Sequence, residues 1–193
     1  MTRIIAGTAG GRRLAVPEGR TTRPTSDRAR EALFASVLSE LGSLDGLRAL
    51  DLYAGSGAIG LEALSRGAAH VLLVESDRRA AAVIRRNIDA LGLAGAELAA
   101  DRVRRVLDRG PRGGGYELVV ADPPYAMAAA EIDEVLALLR DRGWLAPDAL
   151  VVVERASRDP ELRWPEGYES GRVRRYGEAA LWYGRAASLH DRA

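Results

Sequence analysis

The chain has 193 residues, enough for one domain with a sizeable core and a small appendage. It holds no cysteine and no lysine, because all 28 basic residues are arginine. That excludes disulfides, thiolate metal sites, cysteine nucleophiles, Schiff bases and a Walker-type phosphate lysine. The net charge of +1 hides a basic arm: residues 1–30 carry seven arginines against Glu18 and Asp27, a balance of +5, and the remainder carries −4. A basic arm on a slightly acidic body suits a polyanionic partner.

In chain order, Arg3–Gly7 and Arg12–Val16 flank the turn residues Thr8–Gly11 and predict a small hairpin. A Pro/Gly/Thr stretch runs from Pro17 to Pro24. Thr25 and Ser26 then cap a helix reaching about Leu41, with Ala29, Leu33, Val37 and Leu41 as its core stripe. From Leu47 the pattern is strand, helix, strand. Strands are predicted at Arg48–Ala54, Val71–Glu75, Glu97–Ala100, Tyr116–Ala121 and Ala149–Glu154. Helices are predicted at Ile59–Arg66, Arg78–Leu91, Val103–Leu107 and Glu131–Arg142. Alternation of this kind calls for a parallel sheet covered on both faces. The tail, Arg172–Tyr183, reads as two strands joined through Gly177–Ala180. We read residues 1–46 as a basic hairpin-and-helix extension and 47–193 as the catalytic domain. His70 and His190, the only imidazoles, fall at positions suited to structural or solvated roles. No apolar stretch reaches the ~18 residues of a membrane helix and no signal peptide opens the chain, so a soluble cytoplasmic protein is expected.

The strongest local signal is Asp122-Pro123-Pro124-Tyr125 at the end of the apolar run Tyr116–Ala121. Two prolines stop a strand and turn the chain outward. The turn leaves a carboxylate, a carbonyl and a phenol ring at the carboxyl edge of the sheet, where open α/β sheets bind ligands. A planar amine can donate its two N–H bonds to Asp122 and the Pro123 carbonyl while its ring stacks on Tyr125.

The second signal is Gly55-Ser56-Gly57-Ala58-Ile59-Gly60, after a strand and opening a helix. It matches the dinucleotide fingerprint, and Glu75 stands where a ribose contact belongs. Neither feature separates a nicotinamide cofactor from S-adenosylmethionine. Three others favour the latter. Asp51, inside the preceding strand, suits an ammonium and would repel a pyrophosphate. The loop follows a basic module. The Asp-Pro-Pro-Tyr turn suits an amine acceptor and not a hydride. Asp101, after the third strand, can accept from an adenine amino group.

The opening Arg3–Gly7 with Gly11-Arg12-Arg13-Leu14, the segment Arg23-Pro24-Thr25-Ser26-Asp27-Arg28-Ala29-Arg30-Glu31, the stretch Asp51–Gly67 and Asp122–Tyr125 together resemble the bacterial 16S rRNA (guanine-N2)-methyltransferases. The glycine loop is weakly specific, and Asp-Pro-Pro-Tyr is shared with adenine-N6 methyltransferases; the Arg-Pro-Thr segment points to this family. The resemblance implies a Rossmann-like class I methyltransferase, α/β, with a seven-stranded mostly parallel sheet and a small N-terminal hairpin and helix. It also implies a monomer acting on rRNA within the 30S subunit or its precursor. S-adenosylmethionine would be the methyl donor and S-adenosylhomocysteine the product, with no metal. Asp122, Pro123 and Tyr125 would bind and activate the base. Asp51, Tyr53, Gly55, Ser56, Gly57, Glu75, Ser76, Asp101 and Asp122 would hold the cofactor. Arg12, Arg13, Arg23, Arg28 and Arg30 would contact RNA, although Arg30 could instead pair internally with Glu31 or Asp51. The rival readings are an adenine-N6 or protein-glutamine methyltransferase, a NAD-binding dehydrogenase, and a catalytically silent RNA-binding module.

Overall fold

The computed structural model describes residues 2–19 and 26–187. Arg20, Arg23, the expected cap Thr25 and His190 lie outside the described residues. The described residues form an α/β fold with fourteen elements: β1 (Thr2–Arg3), β2 (Arg13–Leu14), α1 (Ser26–Leu41), β3 (Arg48–Leu52), α2 (Ala58–Ser65), β4 (His70–Val74), α3 (Arg78–Leu91), β5 (Ala96–Ala99), α4 (Val103–Asp108), β6 (Tyr116–Ala121), α5 (Ala129–Asp141), β7 (Leu145–Ala156), β8 (Tyr168–Tyr176) and β9 (Ala179–Ala186). Seven strands form one sheet in the order β5-β4-β3-β6-β7-β9-β8. Among the described residues no helix is long and apolar enough to cross a membrane.

The sheet is parallel from β5 to β7, and β9 runs antiparallel to both β7 and β8. The two tail strands do pair antiparallel, as the sequence suggests. Their order is the new finding: β9 inserts between β7 and β8, so β8 runs parallel to β7 and only β9 is reversed. The chain reverses its winding between β3, which leads to β4, and β6 on its other side. Open sheets part at such a switch point and leave a crevice at the carboxyl ends of the two strands.

Side chains alternate across the sheet as the period of two requires. Val71, Leu73, Leu118, Val120 and Val152 meet α1, α2 and α3 through Phe34, Val37, Leu61 and Ile84. Leu50, Leu52, Val119, Ala121 and Val151 meet α4 and α5 through Leu107, Ile132 and Leu139. Ile4 and Leu14 of the extension lie in the first of these clusters, so the extension is packed into the same core as the sheet.

The hairpin strands are only two residues each, with Thr2 opposite Leu14 and Arg3 opposite Arg13. The expected longer ladder fails because α2 takes its hydrogen bonds. The N–H groups of Ile5 and Ala6 donate to the Glu62 carboxylate at 2.8 and 3.1 Å. Those of Thr8 and Ala9 donate to the Ser65 carbonyl and hydroxyl. Gly7, at φ 87°, allows this close approach: a Cβ there would lie 1.9 Å from the Ser65 carbonyl oxygen.

Candidate active site

The crevice is built from the ends of β3, β4 and β6. Leu52 pairs with Val74 on one side and Ala121 on the other, which places Tyr53, Glu75 and Asp122 side by side as the strands end. The Asp122 N–H still donates to the Leu52 carbonyl at 3.3 Å. Tyr53 follows β3 directly, with φ 60°. A bulky aromatic in the left-handed region costs on the order of 1–3 kcal/mol, and such strain concentrates at functional sites. Its hydroxyl reaches the Met127 sulfur at 3.6 Å, across the mouth of the Asp-Pro-Pro-Tyr loop.

Two buried carboxylates fasten the glycine loop. Glu75 accepts from the Gly55 N–H and, through its other oxygen, from the Asp77 N–H, both at 2.8 Å. Asp51, 2 % exposed, accepts from the Gly60 N–H at 2.9 Å. Gly60 is required there, since a Cβ would stand 2.8 Å from Leu73 and 2.9 Å from Val71. Burial pushes the Asp51 carboxyl up to about 8; the Gly60 N–H opposes this and the Glu75 charge adds to it. Burial likewise raises the Tyr53 phenol to about 12, with Glu131 adding and Arg104 opposing. Asp101, past the end of β5, is held below the usual carboxylate range, first by the Arg102 N–H and then by Arg109, whose guanidinium donates to it at 2.6 Å.

The Asp-Pro-Pro-Tyr corner leaves Asp122 and Tyr125 half-buried, with Pro123 buried between them. Pro124 accepts from the Met127 N–H at 2.9 Å, which closes the turn. Arg155, 8 % exposed at the end of β7, donates to the Met127 carbonyl at 2.7 Å and, at the limit of hydrogen bonding, to the Pro124 carbonyl at 3.5 Å. Sequence reasoning missed this clamp. The only signal is an arginine two residues past the apolar run Val151-Val152-Val153, in a strand where a buried charge needs a partner.

The structure gathers Asp51, Tyr53, Gly55, Ser56, Gly57, Glu75, Asp122, Pro123 and Tyr125 around one crevice. Ser76 is exposed beside Glu75, and Asp101 lies at the outer side, engaged by Arg109. One of the expected RNA contacts needs correction. Arg30 is 6 % exposed and turned inward, to Glu62 at 3.6 Å, Asp27 at 3.3 Å, the Thr2 hydroxyl and the Arg3 carbonyl. Its partners are therefore neither Glu31 nor Asp51, and its guanidinium is not presented to RNA. Arg12 donates to the Leu91 carbonyl at 3.0 Å and to that of Ala90, where its charge suits the carbonyl end of α3. Arg12, Arg13 and Arg28 are all exposed.

A seven-stranded sheet with one reversed strand inserted near its end, and a glycine loop facing an Asp-Pro-Pro-Tyr turn across the switch point, define the fold of the class I S-adenosylmethionine-dependent methyltransferases. The family model described as "Conserved hypothetical protein 95" matches residues 2–185, and the chain belongs to that family. It is 40% identical over 155 residues to "Ribosomal RNA small subunit methyltransferase D" of Escherichia coli (strain K12), covering 79% of this chain and 73% of that one. It is 34% identical over 166 residues to "Putative rRNA methyltransferase YlbH" of Bacillus subtilis (strain 168), covering 85% and 86%. Among solved structures, "Putative methyltransferase yhhF from Escherichia coli" superposes with a TM-score of 0.81 at 34% identity, covering 97% of this chain and 99% of that one.

Proposed function

We propose that this protein transfers a methyl group from S-adenosylmethionine to the exocyclic N2 amine of a guanine in 16S rRNA of the small ribosomal subunit. The observation that carries this reading is the half-buried Asp122–Tyr125 corner, clamped by Arg155 and set beside a glycine loop fastened by Asp51 and Glu75. The names of the relatives support rRNA as the substrate class; the choice of N2 rests on the resemblance in the Arg-Pro-Thr segment.

The residues fit the donor. Carboxylates at the ends of β3, β4 and β5 suit an ammonium, a ribose and an adenine amino group, and would repel a pyrophosphate. This disfavours the nicotinamide alternative. Glu75 keeps spare lone pairs for ribose hydroxyls beyond its two backbone contacts. Asp101 takes the adenine amine by exchanging Arg109. When bound, the donor supplies an electrophilic methyl: the amine nitrogen bonds to that carbon as the C–S bond breaks, and sulfur keeps the electron pair.

Guanine N2 is a poor nucleophile because its lone pair is delocalised into the ring. Asp122 and the Pro123 carbonyl accept its two hydrogens and turn the lone pair toward the methyl. Positioning of this kind is worth up to ~7–11 kcal/mol when ideal. Once the nitrogen carries the methyl it is acidic, and its proton passes to Asp122 or water. Tyr125 holds the extruded base by stacking, worth ~1–3 kcal/mol. Arg12, Arg13 and Arg28, with Arg23, contact phosphates, and the protein acts as a cytoplasmic monomer on the subunit or its precursor.

The test is incubation with methyl-labelled S-adenosylmethionine and small subunits lacking the modification, followed by nucleoside analysis. N2-methylguanosine supports the reading. Label in N6-methyladenosine would establish the adenine alternative, and no label with bound subunits would leave a silent RNA-binding module.

A further inference from the structure

Asn87 lies on α3 and is 2 % exposed. Asparagine is a poor helix former and a buried amide must find partners, so its place in the middle of an amphipathic helix calls for a reason. Its side chain joins the basic extension to the glycine loop. The Oδ1 atom accepts from the Ala15 N–H at 2.8 Å, and the Nδ2 group donates to the Ala15 carbonyl at 3.0 Å. The amide thus pairs both backbone groups of Ala15 as a neighbouring strand would. Its remaining N–H donates to the Ser56 carbonyl at 2.9 Å. The partners dictate the amide orientation, because a flipped group would face two carbonyls with one oxygen.

Ser56 stands inside the glycine loop, between Gly55 at φ 61° and Gly57 at φ 82°. Its neighbour Gly55 is fixed by Glu75 and Gly60 further on by Asp51, while its own carbonyl is held from α3. Ala15 belongs to the basic extension, two residues after the exposed Arg13, and leads into the segment that carries Arg23 and Arg28. Arg12 fastens the same extension to the last turn of α3. One side chain thus joins Ala15 of the extension to the Ser56 peptide of the loop.

We infer that Asn87 is a positioning residue that couples the extension to the cofactor loop, so that rRNA on the extension and S-adenosyl ligand in the loop strengthen each other's binding. The inference rests on the proposed function for the identity of the extension's ligand. Asparagine is needed: aspartate keeps the acceptor for Ala15 but offers no donor to two carbonyls, and glutamine displaces the amide by a methylene.

The experiment is equilibrium dialysis of labelled S-adenosylhomocysteine with and without small subunits lacking the modification. In the wild type, subunits should tighten S-adenosylhomocysteine binding about fivefold or more, within the usual range of coupling between sites. Asn87→Ala and Asn87→Asp should bring that factor to near one while each ligand still binds. Ala15→Pro, which removes the donated N–H from the other side, should do the same. A purely structural Asn87 would weaken both measurements alike and leave the factor unchanged, which overturns the inference. A wild-type factor of one also overturns it, even if every variant fails to fold. That result with methyl transfer intact leaves the proposed function standing, whereas subunits that do not bind at all would defeat both.

Discussion

Asp51 holds a carboxyl whose pKa lies near 8 although its unperturbed value is 3.8, because burial disfavours its charge. Between those two values the folded, unliganded protein binds a proton that the unfolded chain has released, so its stability falls as pH rises through that window. A bound ammonium reverses the preference and favours the ionised form. S-adenosylhomocysteine affinity should therefore rise from about pH 6 to about pH 8, with proton release seen as buffer-dependent binding enthalpy; Asp51→Asn should flatten the rise. A profile that is flat in the wild type would detach Asp51 from the cofactor. Arg155 gives a second prediction at this scale. Arg155→Ala frees the Met127 carbonyl and loosens the Asp-Pro-Pro-Tyr turn, so kcat should drop about a hundredfold, the penalty of roughly 1 Å of misplacement. The dissociation constant of S-adenosylhomocysteine should not change, and Arg155→Lys should recover part of the rate. Neither Arg155 nor Asn87 is legible in the sequence, since their partners lie 28 and 72 residues away along the chain. Asp122, Gly55 and Glu75 are legible because turn chemistry and spacing are local.

Elements bounded by strong local signals stand where the chain predicts them. The helix Arg78–Leu91 is stopped by the Asp77 cap and by Gly92 at φ 63°, and the strand Tyr116–Ala121 is stopped by Pro123 and Pro124. The hairpin is shorter than its alternation suggests because alternation cannot show that α2 takes its N–H groups. The insertion of β9 between β7 and β8 is hidden for a related reason: strand order is a long-range property. Glu62 is the residue on which the extension turns. Fully buried, it pairs with Arg66 at 2.9 Å and Arg30 at 3.6 Å besides accepting from Ile5 and Ala6. Glu62→Ala leaves Arg30 buried with the half-exposed Asp27 as its one remaining carboxylate and strips Ile5 and Ala6 of their acceptor, a loss of about 3–5 kcal/mol. The melting temperature should fall by roughly 10 °C in calorimetry; a shift under about 3 °C would mean that the extension is held mainly by its apolar contacts.

At the scale of the molecule, the charge asymmetry survives in altered form. Of the arginines that make the arm basic, Arg30 is buried against Glu62, which leaves exposed residues such as Arg12, Arg13 and Arg28 to face a polyanion. Replacing Arg13 and Arg28 together by Ala should weaken subunit binding and flatten its salt dependence by about one unit per lost phosphate contact. An unchanged slope would place the RNA elsewhere on the surface. The proposed function divides the work between two regions: the extension brings rRNA, and the switch point brings a base amine against the methyl donor. The most direct measurement of that division is single-turnover methyl transfer to unmodified small subunits by the wild type and by Asp122→Ala, with S-adenosylhomocysteine binding measured in parallel. We expect N2-methylguanosine from the wild type, a rate lower by on the order of a hundred- to a thousandfold in the variant, and S-adenosylhomocysteine binding largely intact in the variant. Wild-type turnover by Asp122→Ala would contradict it.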